Sequence, residues 1–171
     1  MEWMNLDQDR PTWRTGPTVL YGLLGFSAAA VVHFATYAGT SIDPTNPLFF
    51  VLHIGIFPLF FFFLVRLKRW QGKQRLFKKD SEPSHWRQLL RFFPGWVIPA
   101  VIALSVYTFA NFLLSVHHLP DHATTLTPLV SLYTVRAFSG HWLLFYAIPT
   151  IYFGFVPVSA YPKVQGGDAA V

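Results

Sequence analysis

Four long apolar stretches constrain this chain more than any other feature of its sequence. A helix that crosses a bilayer needs about 20 mainly apolar residues, because the hydrocarbon core is about 30 Å thick. The stretches that meet this length cover residues 18–39, 47–65, 96–116 and 135–158. They contain no Asp, Glu or Lys, and their one Arg lies at the edge of the last stretch. The sequence therefore predicts an all-α integral membrane protein, a four-transmembrane-helix bundle that forms one domain over residues 1–171.

The distribution of Lys and Arg predicts the orientation of this bundle. Of the 13 basic residues, nine fall in the loop 66–95, and the loops 40–46 and 117–134 carry none. Cytoplasmic loops keep an excess of Lys and Arg, so both termini and the loop 66–95 are predicted to be cytoplasmic. A bacterial inner membrane is the expected location. The formal charge of +5 is then an orientation signal, and nucleic acid is not an expected partner.

The basic loop itself contains an amphipathic pattern. Trp86, Leu89, Leu90 and Phe93 recur at helical spacing, and Arg87, Gln88 and Arg91 occupy the other side. Such a pattern is typical of a short helix that lies in the membrane interface and is attracted to anionic headgroups. The lipid bilayer is therefore a predicted partner of this loop.

The first span is rich in small residues. Gly22, Gly25, Ala28, Ala29 and Ala30 all fall within it. Lipid tails are as apolar as helix side chains, so helices in a membrane associate through close packing, and small residues allow their backbones to approach. We expect this span to pack closely against a neighbouring helix.

Histidines supply the main functional signal. His33, His53 and His141 lie on three different spans, and each is about 10 Å below the outer boundary, judging from the helical rise. Ionisable residues at such a depth are a functional hypothesis by default. The chain has no cysteine, so thiolate ligands are excluded and histidine is the main ligand type left for a metal.

A haem b with two of these histidines as axial ligands fits the apolar, Phe-rich surroundings, and copper or zinc on two or three of them is a second candidate. Which two would ligate is open. Arg136 and Tyr37 are the predicted partners of haem propionates near the outer face. The segment from Arg136 to Trp142 also gathers the donor types that bind quinone head groups, so quinone is a further candidate ligand.

A plainer interpretation assigns the same histidines to hydrogen bonds between helices. It pairs His33 with Tyr37 and His53 with the carbonyl of Ile54, which Pro58 leaves without its helical donor. The third pairing joins His141 to Asn111 or Ser139. A polar stripe on the third span is formed by Tyr107, Asn111 and His118, and it is expected to point into the bundle. These side chains would form hydrogen bonds between helices, or would hydrogen-bond a quinone or the ring nitrogen of a metal-ligating histidine.

In outline the chain is similar to the small haem-bearing membrane anchors of respiratory enzymes, with few helices and histidines on facing helices. The sequence shows no hydrolase elbow, P-loop, HExxH or Rossmann fingerprint, so any enzymatic role is expected to be that of a redox subunit. The predicted function is a small haem-b-type electron-transfer protein or subunit. The alternative is a cofactor-free accessory subunit of a larger respiratory or photosynthetic membrane complex, and a small transporter is disfavoured.

Overall fold

A computed structural model describes residues 13–40, 42–76, 85–118 and 128–156, and their regular structure is entirely helical. Four helices are long and one is short. The elements are α1 (Pro17–Tyr37), α2 (Pro47–Leu76), α3 (His85–Leu90), α4 (Val97–His117) and α5 (Pro128–Phe155). The predicted all-α class is confirmed for this part of the chain. The C-terminal tail and the N-terminal residues 1–12 lie outside the described residues.

Three of the helices are long and apolar enough to cross a membrane: α1, the part Pro47–Arg69 of α2, and α4. α5 does not reach the same hydropathy, although it has 28 residues. The reason is its place in the bundle. Much of its surface contacts other helices and not lipid, and Ser139 and Thr150 are among its buried residues. The structure thus supports a membrane protein with three strongly apolar helices.

α5 is the central helix of the bundle, and α1, α2 and α4 each pack against it. Trp142 and Val135 on α5 are completely buried. Phe and Leu side chains on α1, α2 and α4 point outward instead, and Leu24, Phe61 and Phe109 are each more than 60% exposed. Exposed apolar area on this scale suits contact with lipid.

Helix boundaries differ from the predicted spans in two places. α2 continues to Leu76, beyond the predicted limit at residue 65, because its basic extension consists mostly of good helix formers that hydropathy alone does not identify. α5 begins at Pro128, and not at residue 135, since proline is favoured in the first turn of a helix.

The small residues of α1 lie against α5, as predicted. Gly22 faces Thr150, Gly25 faces the ring of Tyr146, and Ala29 is fully buried. A Cβ atom at either glycine would overlap its neighbour on α5. The two helices therefore approach as closely as their backbones allow.

Two tyrosine hydroxyl groups attach α2 near its internal proline. The Tyr21 hydroxyl donates to the carbonyl of Gly55 over 2.8 Å, and the Tyr146 hydroxyl donates to that of Leu52 over 3.0 Å. Gly55 has no room for a side chain, because a Cβ atom there would lie 2.6 Å from the Tyr146 hydroxyl. These bonds fix α2 against α1 and α5 just before Pro58, which lies inside the continuous helix.

A short helix, α3, is present in the basic loop, but the predicted apolar face is only partly formed. Leu89 is buried and Arg87 and Arg91 are exposed, as the pattern predicts, whereas Leu90 is exposed and Phe93 lies beyond the end of the helix. The side chains of Trp86 and Gln88 lie outside the described part of the structure. Contact of α3 with headgroups stays a prediction.

Candidate functional site

His33 is the centre of a buried polar network. Its ring is fully buried, with Nδ1 2.8 Å from the Ser139 hydroxyl and Nε2 2.6 Å from the Tyr107 hydroxyl. The Ser139 hydroxyl donates to the carbonyl of Arg136 over 3.2 Å, so it accepts from Nδ1–H of His33. Nε2 then accepts from Tyr107, and a neutral ring with one donor and one acceptor is satisfied on both sides. The predicted pairing of His33 with Tyr37 is wrong, since Tyr37 only places its ring edge against the imidazole, at 5.4 Å between centroids.

Tyr37 and Asn111 extend this network toward the end of the bundle that the sequence predicts to face outward, called the outer end below. The Tyr37 hydroxyl donates to Oδ1 of Asn111 over 2.9 Å and lies 3.3 Å from the Tyr107 hydroxyl. Nδ2 of Asn111 donates to the carbonyl of Arg136 over 2.9 Å. Of the polar stripe predicted on the third span, Asn111 is buried in the bundle as expected, whereas Tyr107 is partly exposed and His118 is exposed just beyond the end of α4.

Arg136 is held at the outer end of α1. Its Nε donates to the Thr36 hydroxyl over 3.2 Å and its Nη2 to the Thr36 carbonyl over 2.5 Å. Its guanidinium lies over the rings of Tyr37 and Tyr133, 4.3 and 5.4 Å from their centroids. A cation at this position also interacts favourably with the C-terminal end of the helix dipole.

No carboxylate neutralises Arg136 within the ranges that the structure describes. Asp43 is the one acidic residue there, and its carboxylate accepts hydrogen bonds from the Thr45 backbone N–H at 2.8 Å and hydroxyl at 2.7 Å. These two bonds hold the pKa of Asp43 below its usual range. The positive charge of Arg136 thus remains available to an acceptor from outside this network.

A cavity of about 190 Å³ opens beside Arg136, between the outer ends of α1, α4 and α5. We call it the outer pocket. Its lining residues are Tyr37, Asn111, Leu114, Ser115, His118, Tyr133 and Arg136. The Ser115 hydroxyl is buried and has no hydrogen-bond partner within the described structure. A buried hydroxyl without a partner costs about 1–3 kcal/mol, so a small shift that brings a ligand's acceptor to the Ser115 hydroxyl would be favourable.

His118 and Tyr133 form one wall of the outer pocket. Nδ1–H of His118 donates to the Leu114 carbonyl over 2.6 Å, and its ring stacks on that of Tyr133 with centroids 5.1 Å apart. The hydrogen bond fixes the direction of the imidazole. An aromatic pair of this kind offers a flat surface to a planar ligand.

His53 lies on the other side of α5. The Trp142 indole N–H donates to its Nδ1 over 3.1 Å, and the rings of Phe49, Phe57 and Phe138 surround it. The predicted bond to the Ile54 carbonyl is therefore wrong. Because Nδ1 accepts a hydrogen bond, the proton of the neutral ring is on Nε2. This tautomer has no lone pair left for a metal.

His141 has a different environment. Its Nδ1–H donates to the carbonyl of Ala137, one turn earlier on α5, over 2.9 Å. The edge of its ring meets Phe112 of α4, with centroids 4.8 Å apart. The pairing predicted with Asn111 or Ser139 is wrong. The bond to Ala137 fixes the tautomer that leaves the lone pair on Nε2, which is the usual state of a metal-ligating histidine.

The three histidines lie at the same level of the bundle, but they do not converge on one metal centre. His33 and His53 contact residues 138–142 of α5, the same turn that contains His141. They point to different sides of that helix, and no group of three His, Cys, Asp or Glu in the described structure is arranged to hold a metal ion. A copper or zinc site with three histidine ligands is therefore not assembled.

Comparison with known proteins finds no matching family model, no matching curated protein and no matching solved structure. Function is therefore inferred from the chemistry of the outer pocket and of the histidines below it. Of the candidate residues named from the sequence, the structure brings Arg136, Tyr37 and His33 into one network and leaves His53 and His141 outside it. The sequence signal for Ser115 is weak, because only its helical spacing from Asn111 places it on the polar stripe.

Proposed function

We propose that this protein is a membrane subunit of an electron-transfer complex that binds a quinone head group in the outer pocket. The observation that carries this proposal is the Arg136 guanidinium, which has no carboxylate partner in the described structure and lines the outer pocket together with Ser115. A quinone ring is planar and presents carbonyl oxygens, which need donors of this kind. The pocket of about 190 Å³ is below the usual range of about 300–1,000 Å³ for drug-sized ligands, so it suits one ring and excludes a macrocycle.

The network below the pocket supports a role in proton movement at that head group. Quinone reduction and quinol oxidation exchange protons as well as electrons. Tyr37 lines the pocket, and its hydroxyl lies 3.3 Å from that of Tyr107, which bonds to His33. With the His33 proton on Nδ1, the Tyr107 hydroxyl donates to Nε2, and the Tyr37 hydroxyl donates to Asn111. Rotation of the Tyr37 hydroxyl toward Tyr107 would complete a proton path between the pocket and the buried imidazole without a change of fold.

Binding to the outer pocket is testable with ubiquinone-1 and the purified protein in detergent, through quenching of tryptophan fluorescence. Hydrogen bonds to charged groups contribute about 1.5–3 kcal/mol, so Arg136→Gln should weaken binding at least tenfold. Ser115→Ala removes a neutral donor and should weaken it by about two- to tenfold. The control is Ser105→Ala on the same helix, whose hydroxyl donates to the Val101 carbonyl at 2.8 Å and should leave affinity unchanged. Equal quinone affinity of Ser115→Ala and the parent protein would mean that the quinone does not bind in the outer pocket.

The same proposal includes four spans with both termini in the cytoplasm of a bacterium. α5 runs antiparallel to α1 and meets it from one end to the other. The paired positions are Thr36 with Arg136, His33 with Ser139, Gly25 with Tyr146, Gly22 with Thr150, and Arg14 with Gly154. A helix of 28 residues is about 42 Å long. If α1 crosses the bilayer, α5 beside it covers the same thickness.

Single cysteines can test this topology, because the chain has none of its own. In right-side-out spheroplasts, a membrane-impermeant maleimide should label Thr45→Cys and His118→Cys. Gly95→Cys and Lys163→Cys should react only after the membrane is permeabilised. Labelling of Lys163→Cys from outside would mean that α5 does not cross, and would contradict the four-span arrangement.

A second candidate, haem b, is favoured by the geometry of His141 alone. Its Nδ1–H is fixed by the Ala137 carbonyl, and its Nε2 carries the lone pair. His33 and His53 have rings occupied by other partners, so His141 is the residue of this chain that would hold a haem iron. A haem would provide the one-electron chemistry that a quinone subunit requires. The cofactor-free accessory subunit is the remaining alternative, and the absence of a b-type spectrum from the purified protein would favour it.

A further inference from the structure

An apolar cleft opens on the side of α5 that faces away from α1. α2 and α4 both pack on α5, and between them lies a cavity of about 240 Å³. Every lining side chain is aliphatic or aromatic, among them Leu67, Leu89, Phe93, Ile102, Ile148 and Ile151. We call it the inner cleft, since α3 and Phe93 place it toward the basic loop.

Basic residues adjoin the lining of the inner cleft along the chain. Lys68 and Arg69 follow Leu67 directly on α2, and Arg87 and Arg91 lie two residues before and after Leu89. All four side chains are exposed. Within the described ranges the one carboxylate, Asp43, lies in another loop. An apolar cleft with basic residues nearby is complementary to a molecule that has a hydrocarbon tail and an anionic head.

The lining of the inner cleft suits a hydrocarbon chain as its occupant. Every side chain that lines it is aliphatic or aromatic. Each buried CH₂ group contributes about 0.8 kcal/mol to binding from water, but the bilayer offers a tail the same apolar contact. Preference for one lipid over another must therefore come from the headgroup.

We propose that the inner cleft binds one acyl chain of an anionic phospholipid, with its phosphate among Lys68, Arg69, Arg87 and Arg91. The bound lipid seals the gap between α2 and α4 and joins α3 to the bundle through Leu89 and Phe93, which line the same cavity. The proposal does not depend on quinone or haem binding. It requires only that the chain be embedded in lipid.

Retention of lipid by the detergent-purified protein tests the proposal, with native mass spectrometry after incubation with phosphatidylglycerol or phosphatidylcholine of matched chains. We expect the parent protein to retain one phosphatidylglycerol and to prefer it over phosphatidylcholine. Each basic residue near an anionic surface adds about 1 kcal/mol, or about fivefold. The pair Arg87→Gln and Arg91→Gln should therefore reduce this preference by about 25-fold.

Filling the cleft should have a different effect from removing its charges. Ile151→Trp places an indole where the chain would lie, and should abolish retention of both lipids. Ile102→Trp does the same from the α4 side, in case the first variant does not fold. Ile54→Trp is the matched control, because Ile54 is 59% exposed and does not line the cleft.

Three results would overturn the proposal. Equal retention of the two lipids by the parent protein would remove the headgroup preference. Undiminished retention by folded Ile151→Trp and Ile102→Trp would place the lipid elsewhere. A parent dimer that these two variants convert to monomers, with lipid retention unchanged, would show that a second copy of the chain covers this face.

Discussion

Replacing His33 with alanine should lower the free energy of unfolding by about 2–4 kcal/mol, the largest effect expected for any of the three intramembrane histidines. The substitution removes a fully buried ring and leaves a cavity whose cost adds to that of the lost contacts. It also removes one hydrogen-bond partner from each of the Tyr107 and Ser139 hydroxyls, and a hydrogen bond of this kind contributes about 0.5–1.5 kcal/mol. Thermal unfolding in detergent micelles, followed by circular dichroism, measures the change.

The comparison with His141→Ala separates a structural histidine from a ligand. Nδ1 of His141 bonds only to its own helix, and the side chain is half-buried, so its removal should cost less than about 1 kcal/mol. If haem binds as proposed, His141→Ala should abolish the reduced-minus-oxidised b-type signal and keep its fold. His33→Gln should keep the b-type signal, provided that the variant folds. Loss of the signal in a folded His33→Gln, with a normal spectrum for His141→Ala, would reverse the assignment.

All four long helices could be predicted from the apolar stretches of the sequence, but only three of them reach the hydropathy of a membrane span. The prediction of α5 is less secure for a physical reason. A helix at the centre of a bundle contacts protein on most sides, and polar residues such as Ser139 and Thr150 are satisfied there by hydrogen bonds. Its composition therefore approaches that of a soluble core helix.

The candidate site could be predicted only as a set of residues, not as a set of contacts. Helical rise places His33, His53 and His141 at one level, and the structure agrees, since all three meet or belong to one turn of α5. The direction in which each ring points depends on how the helices rotate and pack, and spacing along the chain does not determine that. Sequence spacing could not predict the outer pocket either, because three helix ends that are far apart in sequence form it.

Glycine 25 provides the clearest test of the close packing between α1 and α5. Intrinsic helix propensity alone predicts that Gly25→Ala stabilises α1 by up to about 1 kcal/mol. Packing predicts the opposite sign, because a Cβ atom at this position would overlap the ring of Tyr146. That ring is 2% exposed, and its hydroxyl donates to the Leu52 carbonyl, so it cannot turn aside without losing this bond. Overpacking of this kind costs about 1–3 kcal/mol, and we expect Gly25→Ala to unfold at lower temperature than the parent and Gly25→Leu at a lower temperature still.

Two further variants decide whether this loss comes from the contact with Tyr146. Ser27→Ala changes a neighbouring position on the exposed side of α1 and should leave the unfolding temperature unchanged or raise it slightly, since alanine is the better helix former. Tyr146→Leu removes the ring, so in its background Gly25→Ala should cost less than it does alone. The difference between the two costs is the coupling energy of the pair, which is typically about 0.5–3 kcal/mol for residues in contact. A coupling energy of zero, or a stabilising effect of Gly25→Ala in the parent protein, would mean that α1 does not approach α5 at this glycine. The polar network of His33, which lies on the same face of α1, would then not be assembled as described.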